Sequence, residues 1–371
     1  MLSIKEISRQ TGFSTATVSR ALDPHHCGKV KASTRKRIMK LCDEYRFRPK
    51  FSAQALASGK TFTVGLISTD LESMMHSPTY SQFVSFLAQE LKNCNYTLSV
   101  LPVSDCDPET IDREILHTFY SCRVDGFILS SGSVGALTLR ELVTGQFPVV
   151  TYQMPSDVRS DSMPVSCVRI DSGDAYRNLL LHLCKTGRKH PVILGVEDQN
   201  PRYDLCRKCS SELTAAMQTP DLLPLSREEI RIEPMFGTYL AVLRHWERLR
   251  TYDAWIVSND LMALGACAAL RHFHYEPGEE IAVCGYDNIE ESRAYLHWKP
   301  ELTTIRPPLD RLASTCAQLL LEQIAAHNTC RREIILDAEL IVRQSSRSEN
   351  GSARWDMEDN GRNMADNSGM N

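Results

Sequence analysis

From Thr63 onward, short runs rich in β-branched residues alternate with longer stretches of helical period, and that alternation admits few folds. Val64-Gly65-Leu66-Ile67 is followed by a helical pattern around Phe83 to Leu91, and Leu98 to Leu101, Gly126 to Leu129 and Val149 to Tyr152 continue as buried strands. A second series comprises Val168 to Ile170, Val192 to Leu194, Ala254 to Val257 and Ile281 to Cys284. Strands that alternate with helices pair in parallel and are covered by helices on both faces. The length suits two doubly wound parallel-sheet lobes, with ligands received at the strand carboxyl ends in the cleft between them.

The first 60 residues follow another rule. Ser3 with Glu6 three residues later fits a capping box, Ile4 and Ile7 share a face, and Gly12 sits where a helix would stop. Ser14 is a good N-cap for a second helix carrying Val18, Ala21 and Leu22 on one side. A third helix from about Ser33 places Ile38, Leu41, Cys42 and Tyr45 at helical spacing, so the three apolar faces close a small all-α core. Two short helices joined by a Gly-containing turn make a helix-turn-helix. This head holds thirteen Lys and Arg against four Asp and Glu, a balance of +9, within a chain of 42 and 46; residues 61 to 371 therefore carry 29 and 42, or −13. A polyanion would meet only the head, and phosphate neutralisation supplies most non-specific DNA affinity.

In a helix-turn-helix the second helix enters the major groove. Its exposed side offers Thr15, Ala16, Thr17, Ser19 and Arg20. Arg20 suits the bidentate contact to guanine, while Thr15 and Ala16 suit a base edge or a thymine methyl. Lys5, Thr17, Ser19, Lys31, Arg35 and Lys36 suit phosphates, which position without specifying. Solvated Lys and Arg occur on any three-helix bundle, so composition alone leaves the role open.

The run Thr15-Ala16-Thr17-Val18-Ser19-Arg20-Ala21-Leu22 resembles the A-T-V-S-R-x-L signature of the LacI/GalR family of bacterial transcriptional regulators. Ser33-Thr34-Arg35-Lys36-Arg37 is similar to the family's third-helix opening, and Arg48-Pro49-Lys50-Phe51-Ser52-Ala53-Gln54-Ala55-Leu56-Ala57 to its hinge. Trp255 to Gly265 resembles its A-N-D-x-M-A-x-G segment, Val283 to Asn288 its V-x-G-[FY]-D-D strand end, and Leu302 to Pro308 its L-T-T-[IV]-x-Q-P crossover. The resemblance implies a head over residues 1–50, a hinge helix and linker over 51–61, and a core over 62–345 similar to periplasmic sugar-binding proteins. A tail over 346–371, rich in Asn, Ser, Gly, Asp and Met, is expected to be disordered.

The resemblance also implies roles. A hinge helix this short forms only when something packs against it; Ala53, Leu56 and Ala57 would then meet the minor groove, with Leu56 as an apolar wedge that bends the duplex. The other role open to Leu56 is packing in a plain linker. By position, Arg202, Phe236, Asn259 and Asp287 are the effector contacts. A carboxylate accepts hydroxyls, Arg donates in a fork, and an aromatic ring covers an apolar face, which suits a sugar or related polar metabolite. Asn259, Asp260 and Asp287 also lie between strands and helix starts, where they could cap. Met74, Met75 and Tyr80 follow the first strand and suit either the opposite wall or the core. Departures are Gln54, Ser172, Arg207, Asn288 and Pro307, with Pro191 at the start of a strand.

Other classes fare worse. No apolar run approaches the roughly 18 residues of a membrane span, and residues 1 to 20 lack a secretory pattern, so a cytoplasmic chain is expected. Thirteen scattered cysteines then read as reduced thiols, and Cys206-Arg-Lys-Cys209 lacks the second ligand pair of a zinc site. An enzyme on the same core would need a G-x-G-x-x-G, a Walker loop or a nucleophile elbow, and none is present; no cofactor or metal is implied. A solute-binding protein would have no use for the basic head. The expectation is a repressor with a palindromic DNA operator, a small-molecule effector, and at least a homodimer to match two half-sites.

Overall fold

The computed structural model describes residues 3–22, 27–48, 55, 59–68, 77–102, 108–130, 135–153, 165–195, 201–211, 218–225, 233–290, 301–326 and 330–347. The chain divides into two compact units, Met1–Phe62 and Thr63–Asn371. In the first, α1 (Ile4–Thr11), α2 (Thr15–Leu22) and α3 (Ala32–Glu44) bury Ile7, Val18, Ala21, Ile38 and Cys42. The Ser3 hydroxyl accepts the Glu6 N–H at 3.2 Å. The Glu6 carboxylate does not complete a capping box but takes Arg9 and Gln10. Gly12 (φ 74) ends α1 in the left-handed region, where only glycine is free of a steric cost. The Ser8 hydroxyl donates to the Phe13 carbonyl at 2.6 Å and pins the turn between the helices. Tyr45 is not a core residue: it is 55% exposed, because α3 stops at Glu44 and Arg46 (φ 50) reverses the chain. Phe47 then packs on the core, its N–H on the Cys42 carbonyl at 2.7 Å.

The second unit holds strands β1 (Thr63–Ser68), β2 (Thr97–Pro102), β3 (Gly126–Ser130), β4 (Val149–Gln153), β5 (Ser166–Asp171), β6 (Pro191–Gly195), β7 (Asp221–Pro224), β8 (Ala254–Val257), β9 (Ala282–Tyr286), β10 (Thr303–Arg306), β11 (Glu333–Asp337) and β12 (Glu339–Ile341). They form two six-stranded sheets in the orders β11-β5-β4-β3-β1-β2 and β12-β10-β9-β8-β6-β7. The orders correspond strand for strand, and the two sheets differ only in the direction of one edge strand. All pairings are parallel except β10 with β12, which is antiparallel and departs from the all-parallel expectation.

The strand at Val168–Ile170 belongs to the first lobe and not to the second: Val150 pairs with Ser166 and Ile334 with Val168. A buried strand pattern says nothing about which sheet receives it; here the chain leaves the first sheet only after Asp171. It crosses between lobes three times, at Asp171–Gly173, Arg306–Leu309 and Asp337–Glu339. The crossover segment Leu302–Pro307 turns out to contain β10, and β7, β11 and β12 have no counterpart in the sequence reading. Pro191 is tolerated because it is the first residue of β6, a position that strand prolines favour.

Helices cover both sheets: α4 (Pro78–Asn93), α5 (Pro108–Tyr120) and α6 (Ala136–Thr144) in the first lobe, and α7 (Gly173–Lys185), α8 (Pro201–Ser211), α9 (Pro234–Arg244), α10 (Trp246–Leu249) and α11 (Asp260–His272) in the second. α12 (Leu309–Ala326) returns to the first lobe, burying Leu312, Cys316, Leu319 and Leu320 beside α4. α9 and α11 touch backbone to side: a Cβ on Gly265 would overlap the Met235 carbonyl. Among the described residues no helix is long and apolar enough to cross a membrane.

Candidate nucleic-acid interface and ligand cleft

Ser14 sets the outward face of α2. Its hydroxyl accepts the Thr17 N–H at 3.2 Å and fixes where the helix begins. With Val18 and Ala21 turned into the core, helical spacing leaves Thr15, Ala16, Ser19 and Arg20 exposed. Thr17 is half-buried with its hydroxyl 2.9 Å from that of Ser14, so it helps build the cap. Lys5, Lys31, Arg35 and Lys36 are exposed and ion-pair with no described residue. Lys31 precedes α3 without a side-chain cap, which leaves the first amides of that helix open beside Arg35 and Lys36. Gly28, Val30, Lys31, Ala32, Arg35, Lys36 and Met39 line an open groove there.

Arg9, Arg37 and Arg48 of the head are engaged. Arg9 pairs with Glu6 and, with Gln10, holds the Glu6 carboxyl down to about 2. Arg37 lies 5.7 Å from the Phe13 ring centroid, and Arg48 pairs with Asp43 at 3.0 Å. Ala53, Leu56 and Ala57 of the hinge lie outside the described residues, as does the tail beyond Arg347.

In the second unit the ligand-contact candidates sit at the carboxyl edge of the second sheet, because β8 and β9 are neighbours and end in Ser258-Asn259 and Asp287-Asn288. The Asn259 Oδ1 accepts the Met262 N–H at 2.9 Å, so its acceptor caps α11 while its amide N–H donors are not used by the cap. Asp287 (φ 114) and Asn288 (φ 58) take conformations that Asp and Asn tolerate best among residues with a Cβ. Phe236, in the first turn of α9, is 58% exposed and stacks on Tyr239 at 6.3 Å and 13°. Arg202 lies on the first turn of α8 after β6, its side chain outside the description, as are Met74 and Met75. Tyr80 is buried beside Phe83 and packs the core of the first lobe.

Asp260 is neither a cap nor a ligand contact. It is fully buried; Thr304 Oγ1 donates to its Oδ1 at 2.6 Å and the Ile289 N–H to its Oδ2 at 2.9 Å. Gly285 makes room, since a Cβ there would overlap Oδ1. Burial first, and the Asp287 charge second, push the Asp260 carboxyl well above the usual carboxylate range. The Asn288 N–H reaches Thr304 Oγ1 at 3.3 Å, and Arg343 donates to Asn288 Oδ1 at 2.6 Å and to the Leu302 carbonyl at 2.8 Å. A carboxyl so enclosed has no route to a substrate, so Asp260 cannot serve with Asp287 as an acid–base pair. Sequence reasoning singled out Asp260 but missed Thr304 and Arg343, whose partners come from residues 44 and 55 positions away. Cys206 and Cys209 face the core from α8, and burial pushes the Cys206 thiol up.

A capped reading helix in a basic head, followed by a two-lobed α/β core crossed three times, defines the class: a helix-turn-helix DNA-binding regulator with a periplasmic-binding-protein-like core. Residues 3–50 match bacterial regulatory proteins of the lacI family, and residues 180–346 match the periplasmic binding protein-like domain. The chain thus carries a helix-turn-helix domain of the lacI family and a periplasmic binding protein-like domain.

Among curated relatives, it is 25% identical over 349 residues to the HTH-type transcriptional regulator MalR of Clostridium butyricum, covering 93% of this chain and 99% of the relative. It is likewise 25% identical over 352 residues, with the same coverage, to catabolite control protein A of Staphylococcus xylosus. A solved lac repressor dimer, bound to operator and the anti-inducer ONPF, has the same fold: TM-score 0.70 at 22% identity, covering 94% of this chain and 99% of that one. These relatives are regulators of transcription and not enzymes.

Proposed function

We propose that the chain is a sequence-specific repressor whose operator affinity is set by a small polar effector, a sugar or a related metabolite, held at Arg202, Phe236, Asn259 and Asp287. The observation that carries the DNA half is the outward face of α2, where Ser14 and the buried Val18 and Ala21 leave Thr15, Ala16, Ser19 and Arg20 directed at solvent. Arg20 reads guanine, Thr15 and Ala16 read a neighbouring base, and Lys5, Ser19, Lys31, Arg35 and Lys36 meet phosphates. Thr17 serves the same face through the cap. The exposed Phe236 ring and the Asp287 carboxylate support the effector half, and one structural neighbour, CelR, was solved with cellobiose.

An effector changes operator affinity only by binding one lobe arrangement more tightly than the other. Two-fold symmetry of the operator calls for a homodimer, the state of the lac repressor bound to its operator. Selection from a random duplex pool by the full-length chain tests the first half: a palindromic site should emerge, with affinity falling steeply as salt rises. Failure to enrich any duplex, with or without a sugar and nucleoside panel, defeats the proposal. A thermal-shift screen with that panel tests the second half, because a ligand that binds only the native state raises its apparent stability.

A further inference from the structure

We infer that Tyr286 is a positioning residue whose hydrogen bond to Ser172 ties the ligand-contacting end of β9 to the strands that cross between the lobes. The inference rests on the proposed reading of Asp287 as an effector contact. Tyr286 is the last residue of β9 in the second sheet, and Ser172 occupies the first crossing, between β5 and α7. The two hydroxyls are 2.8 Å apart, across 114 positions of sequence, and the residues are 1% and 2% exposed. Tyr176, within the first turn of α7, stacks on the Tyr286 ring at 6.3 Å and 27°, which fixes the direction of the phenol.

Each end of this link is fastened to what it would move. The residue after Tyr286 is Asp287, whose own N–H donates to the Ile305 carbonyl at 2.9 Å and whose φ of 114 leaves little backbone slack. On the other side, the Gly173 N–H donates to Asp171 Oδ1 at 2.8 Å and the Ala338 N–H to the Asp171 carbonyl at 2.8 Å. The first and third crossings therefore shift together. A lobe rotation that parted the pair would cost a hydrogen bond between two buried hydroxyls, so the contact favours two discrete arrangements over a continuum. Ser172 stands where the resembled family pattern has Asn, and Tyr286 where that pattern admits Phe.

Hydrogen exchange on the full-length chain and on Tyr286→Phe, Ser172→Ala and the double variant tests this without any ligand. Both single variants should exchange at least fivefold faster in the segments around Gly173, Asp287 and Ala338, with Leu66 of β1 and Val192 of β6 within twofold of the parent. The double variant should add nothing to either single. Unchanged exchange in the three segments overturns the inference, and so does acceleration spread evenly through β6 and β8, which would mark a merely structural hydroxyl. Ribose and cellobiose serve as probes of the underlying reading: if neither shifts the melting of the parent, that counts against the effector reading alone, because the exchange result stands without them.

Discussion

Replacing Asp260 by Asn tests whether its buried carboxyl, pushed above the usual range by burial, works as a hydrogen-bonding block whose charge is dispensable. In the native arrangement one oxygen accepts the Ile289 N–H and the other accepts from the Thr304 hydroxyl. An amide of the same shape can accept with Oδ1 from Ile289 and donate with Nδ2 to Thr304 Oγ1, whose own hydroxyl then turns to the Ile305 carbonyl, 3.4 Å away, so Asp260→Asn should keep both contacts and cost little. Asp260→Ala removes both partners. It strands a backbone N–H and a hydroxyl in a site closed to water, at about 1–3 kcal/mol each, so a loss of about 2–6 kcal/mol is expected.

The pH dependence carries the sign. A carboxyl raised above its ordinary value of 3.8 keeps its proton in the native state after the unfolded chain has released it. Its stabilising contribution is therefore complete below that value and declines as pH rises towards the native one, at up to about tenfold in the unfolding constant per pH unit. Asp260→Asn should erase this decline, so the variant gains on the parent as pH increases. Glu6 and Glu322, both lowered by Arg partners, act in the opposite sense and cancel in the difference. Urea unfolding from pH 5 to 8, followed by the four tryptophans, all in the second unit, reads the difference directly. A variant as damaged as Asp260→Ala, or one that loses ground to the parent as pH rises, would refute the neutral-carboxyl argument.

Five further substitutions have expected outcomes. Ser14→Ala should destabilise the head by about 1 kcal/mol in thermal unfolding, through loss of the α2 cap. Arg20→Ala should lower affinity for the selected site by about 1–3 kcal/mol in a binding titration and flatten discrimination at one base pair of each half-site, whereas Lys36→Ala should weaken all duplexes alike. Gly265→Ala should cost about 1–3 kcal/mol in urea unfolding, because its methyl group meets the rigid Met235 carbonyl and must push α9 off α11. Leu56→Gly should abolish tight operator binding in a titration while the circular dichroism of the folded chain is unchanged.

The head was legible almost residue by residue because its determinants are local. Caps, a left-handed glycine and apolar spacing of three and four all lie within one helical turn of the contacts they make. Tyr45 misled because a helical pattern does not announce its end when Arg, and not Gly, takes the left-handed position at 46. In the core, the presence of alternating strands and helices was legible, but not the sheet that β5 joins. That choice is made by pairing with β11, more than 160 residues later, and no local pattern encodes it. Short edge strands such as β7 and β12 were invisible for a related reason: three or four half-exposed residues carry too few alternations to register.

The candidate site shows why matching a motif falls short of knowing what each residue in it does. Asn259, Asp260, Asp287 and Asn288 all read as polar residues at strand ends, equally fit to cap, to bind or to turn the chain. The fold separates them by depth: Asp260 is sealed, Asn288 is committed to Arg343, Asn259 gives its oxygen to a helix, and Asp287 keeps a partly exposed carboxylate at a backbone angle set by its neighbours. Depth depends on Gly285 within the β9 segment and on Thr304 and Arg343 from two other segments, so it is a property of the assembled lobe. The residues behind Asp287 are bound to one another by the need to leave no buried donor without an acceptor, so the chemistry of this edge is fixed by the assembled lobe.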